Sequence, residues 1–183
     1  MLGLCGLLFT ALSCSSKKPS EAQARAAASE AHHRGAVAVL QVTFPSARVS
    51  MHHYVVAEVS LTNVSSKNLW VNGRMLLNRE DDRPEVREVW ILVQGPKGFV
   101  QLECYKRTRD VDDTDYRLLK PNETIRQTEL LNDCYTIETP GVYKLMAFYK
   151  DGNPRPPAAP AGAVHLSQEL QSEEASFEVV QGS

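Results

Sequence analysis

The chain has 183 residues, of which 43% are apolar, 7% aromatic and 23% charged, with a formal net charge of -2. This composition excludes collagen-like, coiled-coil and wholly disordered chains, and the near-neutral balance leaves no concentrated basic face of the kind nucleic-acid binders carry. The length accommodates one domain with an appendage.

Residues 1–14 read MLGLCGLLFTALSC. Leu2 to Leu12 is apolar or small apart from Thr10, and is shorter than the roughly 20 residues a bilayer span needs. It has the character of the h-region of a secretory signal peptide, which implies export. The closing residues, Ala11-Leu12-Ser13-Cys14, resemble the lipobox of bacterial lipoproteins, where small residues precede a cysteine that is acylated and becomes the mature N-terminus. The resemblance implies a signal peptide at residues 1–13, a lipid of the palmitate kind on Cys14, and a cell-envelope location on a membrane. Ala11 stands where that family usually has Leu, and no Lys or Arg precedes the apolar run. Ser15 in place of an aspartate resembles the outer-membrane default of enterobacterial lipoproteins, which implies the outer membrane over the inner. An ordinary signal peptide cleaved near Ser13, leaving a soluble exported protein, is the alternative.

Ser15 to Ala31 (SSKKPSEAQARAAASEA) is small and polar, so it has little to bury. Residues 14–36 therefore read as the lipidated cysteine and a flexible tether, and residues 37–183 as the folded domain. The tether carries Lys17, Lys18, Arg25 and Arg34 against Glu21 and Glu30, a net of +2, which leaves the rest with 16 basic and 20 acidic residues.

From Val37 onward the apolar pattern has a period of two, as in half-buried strands. Val55, Ala57, Val59 and Leu61 alternate with Tyr54, Val56, Glu58 and Ser60, and Asn63 to Asn68 supplies a polar turn. Leu69 to Asn72 begins another strand, broken at Gly73. Val89 to Val93 is a β-rich run closed by a tight turn at Gly95-Pro96-Lys97-Gly98, with Phe99 to Tyr105 as its hairpin partner. Glu123 to Leu131, Val142 to Tyr149 and Ala175 to Val180 follow. Seven or eight short strands with no interleaved amphipathic helices predict an all-β, antiparallel sandwich.

Three motifs sharpen this. Thr139-Pro-Gly-Val-Tyr-Lys-Leu-Met-Ala-Phe-Tyr149 resembles the penultimate strand of bacterial immunoglobulin-like and fibronectin type III-like domains. Leu119-Lys-Pro-Asn-Glu123 resembles their Leu-x-Pro-Gly-Glu turn, with Asn122 replacing Gly, and Leu61-Thr-Asn63 followed by Trp70 resembles their strand, Asn, turn, strand passage. The resemblance implies a tyrosine corner at Tyr143, its hydroxyl bonded to upstream backbone, with Leu145 where antibodies place a cysteine. It covers residues 37–180 and speaks to fold, since this scaffold hosts many functions. Asp151 to Gly162 (DGNPRPPAAPAG) reads as a proline-rich surface arm, either a stiff connector or a recognition segment.

Of the four cysteines, Cys5 falls in the expected signal and Cys14 would carry the lipid that the resemblance implies. Cys104 and Cys134 remain, an even number in an oxidising compartment, so a disulfide between them is expected, with two buried thiols as the alternative. Closing a loop of about 30 residues contributes about 3–4 kcal/mol on a chain-entropy basis. Neither cysteine has Cys or His at zinc-ligand spacing. His32-His33, His52-His53 and His165 read as exposed non-ligand residues, the second pair on a strand where neighbours point apart. Asp110, Asp112, Asp113 and Asp115 are weak calcium candidates; they lack the EF-hand glycine, and Arg107, Arg109 and Arg117 flank and can neutralise them. Glu80 to Glu85 reads as a solvated charged stretch, and Trp70 and Trp90 as core or sheet-face residues. Asn63-Val-Ser65 and Asn122-Glu-Thr124 match glycosylation sequons.

No nucleophile elbow, His-Glu-x-x-His or phosphate-binding glycine loop occurs. The sequence thus points to a non-catalytic binding or assembly module without a cofactor. It would meet the membrane through Cys14 and a protein partner in the cell envelope, and would not bind nucleic acid. A proteinase inhibitor acting through the Asp151 to Gly162 loop is the second reading, because all-β inhibitors of the BsuPI type resemble this layout of strands. A calcium-dependent or hydrolytic protein ranks last.

Overall fold

Alternation of buried and exposed side chains from Ala38 onward sets the architecture, because a period of two gathers the apolar residues on one side of a sheet. The computed structural model describes residues 36–77, 88–103, 109–153 and 155–182, all within one unit, Gly35–Ser183. Twelve strands follow in chain order: β1 (Ala38–Thr43), β2 (Arg48–Ser50), β3 (Val56–Asn63), β4 (Asn68–Asn72), β5 (Val89–Gly95), β6 (Gly98–Val100), β7 (Tyr116–Leu119), β8 (Thr124–Leu130), β9 (Gly141–Tyr149), β10 (Ala163–His165), β11 (Leu170–Gln171) and β12 (Ala175–Val180). One layer holds the sheets β1-β3-β8 and β10-β4-β7, and the other the sheet β2-β12-β9-β5-β6 with β11 also on β9.

The fold class is the expected all-β, mainly antiparallel sandwich. β2, β7, β10 and β11, two to four residues long, raise the strand number above seven or eight. Such short segments carry too few side chains to show a period. Two of the strand pairings described depart from an antiparallel plan: β10 runs parallel to β4, and β12 parallel to β2; the isolated Leu77–Val89 bridge is parallel as well. Both parallel pairs join strands far apart in the chain, as parallel pairing requires a long crossover connection.

The two layers share one core. Leu40, Ala57, Val59 and Leu61 from β1 and β3 meet Ile91, Val93, Leu145, Ala147 and Phe177 from the other sheet. Tyr143 lies stacked on Phe177 at 5.2 Å, and Phe44 tilts onto the same ring at 5.0 Å. The Tyr143 hydroxyl donates to the Thr139 carbonyl at 2.9 Å and accepts from the Thr139 N–H at 3.2 Å, a tyrosine corner closed four residues upstream. Gly141 sits there at φ +139, and a Cβ on it would come 2.5 Å from Pro96 Cγ, so the corner and the β5–β6 hairpin demand glycine at this point.

β4 and β7 resume the β3–β8 ladder after a break. Thr62 faces Thr124, their hydroxyl oxygens 2.9 Å apart, and past the break Leu69 faces Leu119. Asn63 bridges the gap. Its Nδ2 donates to the Lys67 and Leu119 carbonyls, both at 2.8 Å, and its Oδ1 accepts from the Ser65 N–H at 2.9 Å and the Ser65 hydroxyl at 2.8 Å. Its backbone N–H donates to Glu123 O, and its carbonyl accepts from Asn122 N. The opposing turn places Asn122 at φ +64, which asparagine tolerates better than other side chains with a Cβ. With Asn63 fully buried and its amide engaged at both ends, this sequon offers no acceptor nitrogen to a glycosyl donor.

Asn63→Ala would take the amide donor from the Leu119 carbonyl, leave the Lys67 carbonyl with the Ser65 hydroxyl alone, and remove the turn's acceptor. We expect a loss of about 2–4 kcal/mol, read as a lower urea midpoint with an unchanged slope. A midpoint within error of the wild type would contradict the bridging role.

Candidate functional site

Buried polar groups concentrate beside β4, β7 and β10. Asp151 follows β9 and opens the proline-rich segment; its side chain is 0% exposed, against 25% for the imidazole of His165 at the end of β10. The Tyr116 hydroxyl donates to Asp151 Oδ2 at 2.8 Å, His165 Nε2 lies 2.7 Å from the same oxygen, and the Asn153 N–H donates to Oδ1 at 3.2 Å. Trp70 stacks on Tyr116 at 5.8 Å, and the Tyr116 ring meets His165 at 6.2 Å. Burial, followed by the hydrogen bond to Asp151 and its charge, pushes the Tyr116 hydroxyl well above the usual phenol range. Burial does the same to Tyr149, whose hydroxyl donates to Asn72 O. Both tyrosines therefore stay protonated donors. This cluster ties the two ends of the segment between β9 and β10 to β7.

A second group of charges lies alongside. Glu88, 1% exposed, accepts from Arg74 Nε at 3.1 and 3.2 Å and from Arg74 Nη2, and its Oε2 accepts from the Leu76 N–H at 3.0 Å. Arg74 Nη1 donates to the Arg109 carbonyl at 2.8 Å, and Arg109 grips the buried Asp115 with both terminal nitrogens. Burial pushes the Asp115 carboxyl up, but hydrogen bonds from Arg109 and the Asp112 N–H, with the charges of Arg74 and Arg109, outweigh it and hold the group below the usual carboxylate value.

Two residues of the acidic loop, Asp112 and Asp115, join this network. Asp112 caps a single 3-10 turn, Asp113–Asp115, accepting from the Thr114 N–H at 2.8 Å while Arg109 Nη1 reaches its other oxygen at 2.8 Å. Asp113 is exposed and Asp110 has its own interaction. Among the described residues no three His, Cys, Asp or Glu side chains gather as a metal set. Arg117, expected to join the neutralisation, instead lays its side chain over Gly73, where a Cβ would come 2.7 Å from Cδ. Arg74 was not expected in the network; it sits 14 residues before Glu88, a spacing with no local signature.

The outer face of β5 and β9 is apolar. Trp90 and Phe148 stack at 5.2 Å with planes 7° apart, Leu92 pairs with Met146 in the next register position, and Phe99 in β6 is 79% exposed. A surface pocket of about 280 Å³ lies between His52, Glu103, Asp133, Cys134 and Glu138.

Of the remaining sequence candidates, Cys5, Cys14, Cys104, His32, His33, Arg107 and Glu80 to Glu85 lie outside the described residues. Cys134 is buried. His52 and His53 occupy a turn after β2 rather than a strand, with His52 at φ +72 and the His53 N–H donating to Ser50 O, so the opposite-faces argument does not apply to them. His165, read as an exposed non-ligand residue, is instead half-buried and bonded to Asp151. Its chemistry depends on Asp151, 14 residues earlier, and no pattern in the sequence couples the two.

No protein-family model and no curated protein matches the chain. Among solved structures, a CARDB domain from Pyrococcus furiosus, determined in complex with di-metal ions, is similar at 13% identity and a TM-score of 0.39, over 79% of this chain and 94% of that one. Part of the native alpha-2-macroglobulin of Escherichia coli, from domain MG7 to the C-terminus, is similar at 14% identity and a TM-score of 0.37, over 79% of this chain and 16% of that one. A beta-glucosidase from Listeria innocua in complex with isofagomine follows at 9% identity and a TM-score of 0.33, over 78% and 16% respectively.

Two outcomes test the charge network. Arg74→Met strands a buried carboxylate and should cost about 3–5 kcal/mol, whereas Arg74→Met with Glu88→Leu should recover most of it. Equal losses in the single and double variants would refute the pairing. Because folding depresses Asp115, its stabilisation is present above the unfolded value of about 3.9 and is lost as pH falls through the lower folded value. Stability curves of wild type and Asp115→Asn should therefore draw together below about pH 4; a constant gap across the acid range would contradict this.

Proposed function

We propose that this chain is an exported lipoprotein, held on a membrane through Cys14, whose β-sandwich acts as a non-catalytic binding or assembly module in the cell envelope. One succession of features carries the reading. An apolar run ends at Ala11-Leu12-Ser13-Cys14, a small polar stretch follows, and the first strand among the described residues starts at Ala38. Acyl chains on Cys14 would supply the affinity at about 0.8 kcal/mol per buried CH2, and one chain alone is marginal, so the thioether diacylglycerol is the effective anchor. Residues 15–36, as a flexible coil, would give the domain a reach on the order of 25 Å. The outer membrane is the favoured address.

The mechanism is presentation: the lipid fixes location, the tether sets reach, and the surface of the sandwich meets a partner by complementarity. The buried carboxylates of Glu88, Asp115 and Asp151 are each bonded to groups of the same fold, which supports a role for them in holding the scaffold.

A Cys104–Cys134 disulfide belongs to the same reading. Leu102 pairs with Tyr135, and the Glu103 N–H donates to the Cys134 carbonyl at 2.8 Å, so the backbone next to position 104 runs alongside buried Cys134. Cys134 has an interaction of its own, which supports the pairing.

Cys14→Ser should move the protein from the membrane pellet to the soluble fraction in the native cell. Retention in the membrane would sink the anchor. Alkylation of the unreduced, denatured protein should leave Cys104 and Cys134 unlabelled; labelling of both would refute the disulfide.

A further inference from the structure

The segment between β9 and β10 carries a period of three. Asn153, Pro156 and Ala159 are half-buried, while Arg155, Ala158 and Ala161 are exposed. Pro157 and Pro160, also three apart, form the edge between these two faces, the first half-buried and the second exposed. Three residues per turn without internal hydrogen bonds is the geometry of a polyproline II helix. The sequence favours it: Pro156, Pro157 and Pro160 fix their own φ, and Arg155, Pro156 and Ala159 each precede a proline, which disfavours the helical region.

Both ends of the segment are pinned. At the first, the Asn153 N–H bonds to Asp151 Oδ1, and the Arg155 N–H donates to Asn153 Oδ1 at 3.0 Å. At the second, the Ala163 N–H donates to Pro160 O at 3.0 Å, β10 pairs with β4, and His165 returns to Asp151. A connector needs only to span the gap. This one is tied to the domain at a buried carboxylate, with Pro160 exposed and Pro157 half-buried along its edge and φ fixed at three prolines, so little conformational freedom would be lost on docking.

We propose that Arg155–Pro160 is a recognition segment. Its Pro157–Pro160 edge docks into an aromatic-lined groove of a partner protein, with Arg155 meeting acidic side chains at the rim. In this mode proline rings fill shallow slots between aromatic side chains, and donors in the groove reach the backbone carbonyls that a polyproline II helix leaves unused. The inference names the partner chemistry of the binding module and rests on that reading, but not on the lipid.

The test is site-specific photo-crosslinking in the native cell, with benzoylphenylalanine at Ala158 or, separately, at Leu92 on the apolar sheet face. The expected result is an Ala158 adduct of defined mass that falls at least tenfold in the Pro157→Ala/Pro160→Ala background. A synthetic Arg-Pro-Pro-Ala-Ala-Pro peptide should compete it away in lysate, a readout that leaves the protein itself unaltered. An Ala158 adduct indifferent to the proline changes and to the peptide overturns the proposal, as does the absence of any Ala158 adduct. If only Leu92 yields an adduct, the binding-module reading stands and the arm proposal fails. If neither position does, both fail.

Discussion

The sandwich depends on one side-chain amide. Asn63 ends β3 where the ladder with β8 must break and resume as β4 with β7, and its amide takes over the bonds that the interrupted backbone cannot make. Without it, the buried Leu119 carbonyl would lose the amide donor and the Lys67 carbonyl would keep only the Ser65 hydroxyl, and unmet buried acceptors cost more than a formed hydrogen bond gains. Everything that gathers beside β4, β7 and β10 inherits its position from that splice. Trp70 meets Tyr116, Tyr116 reaches Asp151, and Asp151 holds His165.

From there the structure divides its labour. The interior between the layers is apolar and keeps the strand registers, with the tyrosine corner at Tyr143 locking the entry to β9. The neighbouring end is held by charge: Arg74 on Glu88, Arg109 on Asp115, and Asp151 among donors. Buried charges of this kind stabilise little compared with apolar packing, but each becomes expensive when its partner is removed.

The apolar framework is legible in the sequence because sheet burial writes itself as a period of two. Val55, Ala57, Val59 and Leu61 alternate in the chain and are all buried in the fold, and Ala175 to Val180 coincides with β12. Turn chemistry is legible for a similar reason: Asn122 has one of the few side chains suited to the positive φ required there. The polar end is not legible. Tyr116 and Asp151 are 35 residues apart and Asp151 and His165 are 14 apart, so these contacts arise from topology and leave no local pattern. β10 is equally hidden, since three residues held by parallel pairing to β4 show no period. Arg74 and Glu88 look like ordinary surface charges until the fold closes over them.

Placing this scaffold on a membrane turns a small sandwich into a positioned one, and the lipid on Cys14 is the claim on which that step rests. The most direct measurement is the intact mass of the mature protein extracted from membranes of its native cell. The account predicts a chain beginning at Cys14 and carrying a diacylglycerol thioether. A mature chain with a different first residue and no lipid mass would contradict it.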